Sequence, residues 1–135
     1  MNSETKAGGA SVAQRIDAME EAYEFMLAYA ARGVMADDPM EEGGVRHFLE
    51  RMVAAQDDLV ATALEEARRL PPGVADACAA FLEVLAGDIA KALPAISLVL
   101  ARPAIGSQMI DNLNANIHLR AVLADLFMLD ETLKG

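Results

Sequence analysis

Tryptophan is absent from this chain, and the aromatics are limited to two Tyr and four Phe. A core must therefore be assembled from Ala, Leu, Val, Ile and Met, which apart from the β-branched pair are strong helix formers. Cysteine is reduced to Cys78, which excludes an intrachain disulfide and a thiolate zinc cage. Its setting, Ala77-Cys78-Ala79-Ala80-Phe81, holds no cation to activate a thiolate, so it reads as a small buried apolar residue. Histidine is confined to His47 and His118. A di-iron carboxylate bundle needs Glu three residues before each histidine ligand, and Gly44 and Ala115 stand there instead. No Cys-x-x-Cys-His occurs for covalent haem. The His-x-x-Lys-Gly pattern of phosphotransfer bundles also fails, because Leu119-Arg120-Ala121-Val122 follows His118. No resident metal or cofactor is expected.

Positive charge is also scarce. Eleven Lys and Arg face 21 Asp and Glu, a net charge of −10. Such a field repels a phosphate backbone and an anionic membrane surface. The nearest basic patch, Arg68-Arg69, follows Glu65-Glu66 and reads as charge placed at a helix end. Long hydrophobic runs are missing too: Ala92 to Ala101 is too short to span a bilayer and contains Pro94. Met1 to Gly9 has no hydrophobic signal segment, so a cytoplasmic location is expected. The acid pairs Glu20-Glu21, Glu41-Glu42, Asp57-Asp58 and Glu65-Glu66 read as solvated faces and helix starts.

Apolar residues are abundant, at 54% of 135 positions. That suits one domain over residues 11–135, preceded by a disordered tail over residues 1–10. So much apolar surface on a small chain favours self-association, and a homodimer is expected.

The periodicity predicts an all-α, antiparallel four-helix bundle. Ser11-x-x-Gln14 has the capping-box form and opens a helix that Gly33 closes near Arg32. Val34 to Gly44 is a connector, with a helical turn signalled by Asp38-Pro39-Met40-Glu41. A second helix is expected from Val45 to Leu70, with Val45, Leu49, Met52, Leu59, Ala63 and Leu70 inward and Gln56 in the same stripe. Pro71-Pro72-Gly73 stops it. The third helix carries Val74, Cys78, Phe81, Leu85 and Ile89, and Pro94 is expected to kink or end it. Ser107 is the expected N-cap of the fourth helix, which runs from Met109 to Leu133 with Ile110, Leu113, Ile117, Ala121, Ala124 and Met128 inward.

The fourth helix departs from a plain helical recipe. Asp111, Asn114, His118 and Asp125 fall along one edge of its stripe, and Asn112 and Asn116 add two amides that helix interiors usually avoid. Antiparallel packing sets His118 level with Tyr23 and Met26. Three readings fit: a small polar ligand pocket, a hydrogen-bonded network fixing helix register, or an edge facing water. From Val122 to Leu133 the helix is apolar nearly all round, and such a helix needs cover on every side. Leu123, Leu126 and Phe127 are therefore the expected dimer contact.

No nucleophile elbow, phosphate-cradling glycine loop or paired acid and base is present. The pattern points to a non-enzymatic regulatory or accessory protein working through protein contacts. The alternative is a small-molecule sensor or carrier with its ligand near His118.

Overall fold

Ser11 starts α1, Val12–Ala31, as its spacing from Gln14 predicts. The Ser11 hydroxyl accepts the Gln14 N–H at 3.1 Å, and Gln14 Oε1 accepts the Ser11 N–H at 2.9 Å. This reciprocal pair satisfies two donors that a helix start leaves unpaired. At the other end Gly33 follows the Arg32 cap with φ +69°, a conformation that costs glycine little.

The computed structural model describes residues 9–134. Among them are five further helices: α2 (Val45–Gln56), α3 (Leu59–Ala67), α4 (Pro72–Leu100), α5 (Ser107–Asn114) and α6 (Ile117–Lys134). The fold is all-helical, with no strand among the described residues. Apart from Gly9 and Ala10, the expected disordered tail lies outside the described residues.

Six helices replace the four expected, and each extra break has a local cause. The helix expected from Val45 to Leu70 is interrupted at Asp57-Asp58, where Asp58 adopts φ +58°. Aspartate tolerates this left-handed region better than most residues. The buried Arg15 of α1 reinforces the break, since its guanidinium donates to the carbonyls of Ala55 and Asp57 at the end of α2. A cation belongs at that negative helix terminus.

The helix expected from Met109 to Leu133 is cut at Ala115-Asn116. Asn116 Oδ1 accepts the N–H groups of His118 at 3.0 Å and Leu119 at 3.1 Å, capping α6. Ser107 is not the cap of α5; Gly106 holds that position. The Ser107 hydroxyl instead accepts the Val34 N–H at 3.0 Å and donates to the Tyr29 carbonyl at 2.7 Å. It thereby staples the start of α5 to the end of α1. A Cβ on Gly106 would lie 2.7 Å from the Met35 carbonyl oxygen, so this close approach requires glycine.

Pro94 does not end its helix: α4 is continuous from Pro72 to Leu100. Both Pro94 and Ala90, whose carbonyl loses its intrahelical donor, lie on the exposed face. Water can satisfy that carbonyl there.

The helices pack in a ring of contacts. α1 packs on α2 and α3, these on α4, α4 on α5 and α6, and these back on α1. The core inside is aliphatic and methionine-rich, with Met19, Met26, Leu49, Met52, Leu59, Leu85, Ile96, Ile110 and Leu119 fully enclosed. Such contacts contribute about 1.5–3 kcal/mol for each large side chain removed from water.

Candidate functional site

The break at Asn116 decides what the C-terminal cluster becomes. α5 and α6 no longer share one helical phase, so residues aligned by the sequence are dispersed. Ile110 and Leu113 of α5 are buried as expected. In α6 the expected stripe is turned outward: Ile117 is 72% exposed, Met128 is 62% exposed and Ala124 is exposed. The inward positions are Leu119, Val122, Leu123, Leu126 and Leu129.

The four edge residues follow this split. Asp111 is exposed on α5, in a shallow groove with Gly33, Met35 and Gln108. Asn114 is buried, and its Nδ2 donates to the Met26 carbonyl at 3.2 Å, while its Oδ1 has no partner among the described residues. That bond ties α5 to α1 and fits the register reading. His118 is partly buried at the start of α6, where its backbone N–H takes part in the cap. Its ring makes no hydrogen bond among the described residues. Asp125 lies about two turns further along α6.

Tyr23 and Met26 also part company. Met26 is wholly enclosed in the core. Tyr23 lines a surface groove between α1 and α6, together with Arg120, Leu123, Ala124 and Phe127. Glu20 and Glu24 border the same groove beside Leu123 and Phe127. Of the three residues expected at a dimer contact, Phe127 is 54% exposed, Leu123 is only at the groove floor and Leu126 is spent on the core of its own chain.

Asp125 has a partner that the sequence did not single out. Across the α4–α6 seam its carboxyl group is within hydrogen-bonding reach of Asp88. Its Oδ2 is enclosed and receives no hydrogen-bond donor among the described residues. Burial, then the Asp88 hydrogen bond and charge, push the Asp125 carboxyl up to about 7. A proton held on Asp125 lets its carboxyl group donate to Asp88 and removes the like-charge repulsion. Asp88 was visible only as an acid beside the Leu85 and Ile89 stripe.

A second groove, of about 240 Å³, runs between the start of α4 and the end of α6 and is lined by Val74, Cys78, Phe81, Met128 and Leu129. Val74, expected inward, is exposed at its rim. Burial pushes the Cys78 thiol up, which keeps it protonated and unreactive at neutral pH. Among the described residues no three His, Cys, Asp or Glu are grouped so as to hold a metal ion, and no helix is long and apolar enough to cross a membrane.

No family model matches the chain, and neither a curated protein nor a solved structure matches it.

Proposed function

We propose that this chain is a non-enzymatic regulatory or accessory protein that acts through protein contacts and self-associates as a homodimer. In this reading the ring of contacts is an antiparallel bundle of four columns: α1, α2 with α3, α4 bent at Pro94, and α5 with α6. The cytoplasm is the proposed location. One observation carries the functional reading. α6 is apolar on two faces, and only one of them is used inside the chain.

The inner face, Leu119, Val122, Leu126 and Leu129, is buried. The outer face leaves Ile117, Phe127 and Met128 more than half exposed. Scattered surface hydrophobics need no explanation, but a continuous helical stripe of them is a surface that gains free energy when covered. The His118 alternative has less support. Tyr23 faces the Phe127 groove rather than His118, and Met26 offers a ligand no surface.

Native mass spectrometry of the chain purified from its own host, beside its denatured mass, tests this reading. The expected result is protein mass alone, as a multiple of this chain or with a second polypeptide. A small mass that departs on denaturation, and that His118→Ala fails to retain, would overturn it in favour of the carrier reading.

A further inference from the structure

The outer face of α6 carries the same pattern of side-chain size from either end. Ile117, Ala121, Ala124 and Met128 occur at i, i+4, i+7 and i+11, which is large, small, small, large along about 16 Å of helix. Their spacing is that of one continuous stripe. A two-fold axis between Ala121 and Ala124 superimposes this order on itself. Two copies of α6 packed antiparallel about that axis would bring Ala121 against the partner's Ala124. Small residues there let the helix axes come within about 8 Å. Ile117 would then meet the partner's Met128 at each end of the contact.

Charge follows the same symmetry. Arg120 lines the α1–α6 groove with Tyr23 and Phe127, and Glu20 and Glu24 border the same groove beside Leu123 and Phe127. Arg120 is the only Arg or Lys between Ile117 and Leu133, and it makes no ion pair among the described residues. The antiparallel arrangement lays Arg120 over the partner's Phe127, next to the partner's Glu20 and Glu24, and does so twice. A self-complementary patch of this kind is what an isologous interface requires. An unrelated partner helix has no reason to match both the size order and the charge order.

We infer that the outer stripe of α6 is covered by a second copy of this chain, packed antiparallel about Ala121 and Ala124 with reciprocal contacts from Arg120. This inference rests on the protein-contact reading above and specifies its geometry.

Sedimentation equilibrium of the full chain tests it. Wild type is expected to dimerise with a dissociation constant in the micromolar range or tighter. Ala124→Glu places a charge at the axis on an exposed position, and is expected to be monomeric with unchanged far-UV circular dichroism. Val84→Glu, on the exposed face of α4, is expected to remain a dimer. Arg120→Glu should weaken the dimer at least about tenfold, and adding Glu24→Arg should restore much of the loss. Two results would overturn the inference: a wild-type monomer at every concentration, or a dimer that Ala124→Glu and Arg120→Glu both leave intact. A wild-type monomer that still copurifies with a second polypeptide sinks this geometry while leaving the protein-contact reading standing.

Discussion

Asp37 and Arg46 form a partly buried clasp between the α1–α2 connector and the start of α2. The Arg46 Nε donates to Asp37 Oδ2 at 2.7 Å, with the Asp37 side chain only 6% exposed. Asp37 Oδ1 accepts the Ile105 N–H at 2.8 Å. The same guanidinium reaches the carbonyls of Leu100, Arg102 and Pro103 at 3.1, 2.8 and 3.3 Å. One ion pair thus holds together the start of α2, the connector before it and the loop that follows α4.

Removing Asp37 leaves the Arg46 charge and the Ile105 N–H without their partner. Asp37→Ala is expected to cost about 2–4 kcal/mol of unfolding free energy, measured by urea denaturation. Burial alone would raise the Asp37 carboxyl, but the Arg46 hydrogen bond, the Ile105 N–H and the Arg46 charge outweigh it and hold it below its ordinary value. A depressed carboxylate contributes stability above its unfolded value and loses that contribution as pH falls through its folded one. The wild-type excess over Asp37→Ala should therefore hold at pH 7 and shrink below pH ~4.

Asn116 is the second pinned point. Its Oδ1 accepts two N–H groups of the α6 start, and Asn116→Ala removes both bonds. The expected loss is about 1–2 kcal/mol. Amide hydrogen exchange should quicken first at His118 and Leu119, with α1 and α4 unaffected. Equal quickening across all helices would show that the cap is not a local feature.

These residues show which parts of the fold were legible. α1 was readable to its ends because both signals are local: a capping box at Ser11 and a glycine at position 33. The break at Asp58 was not, because the inward positions Met52, Gln56, Leu59 and Ala63 keep helical phase across it, so periodicity records no interruption. The asparagines near the C-terminus gave a real signal that helix was being resisted. Part of its cause is Asn116, which caps α6. Once that cap resets the phase, the stripe expected inside α6 lies outside. Asp88 could not be read from sequence, since its pairing with Asp125 depends on how α4 and α6 meet.

The Asp88–Asp125 pair gives a pH dependence of opposite sign to that of Asp37. A carboxyl raised in the folded state binds its proton more tightly there than in the unfolded chain. Between pH ~4 and about 7 the folded protein therefore holds the extra proton, and stability declines as pH rises through this window. Falling net charge also favours the fold at lower pH, so the comparison must be made with a variant. Asp125→Asn keeps the shape and supplies an amide donor to Asp88. It is expected to raise the melting temperature at pH 8 and to flatten the change between pH 5 and 8 relative to wild type. Identical pH profiles for the two proteins would show that Asp125 does not hold a proton in this window.

Pro94 supplies the last test, because α4 tolerates it without ending. Proline in a helix interior costs about 3 kcal/mol relative to alanine, through a lost hydrogen bond and a clash with the carbonyl four residues back. Here that carbonyl belongs to Ala90 on the exposed face, so water recovers part of the cost. Proline also stiffens the unfolded chain, which recovers about 0.4–1 kcal/mol more. Pro94→Ala is therefore expected to stabilise the protein by about 1–2 kcal/mol in urea denaturation. A loss of stability would mean that the core around Ile96 and Val99, both buried just beyond Pro94, is packed on a bend that only proline maintains. In that case the substitution should also loosen the neighbouring contacts of Leu100 with the Arg46 clasp, visible as faster exchange at Ile105.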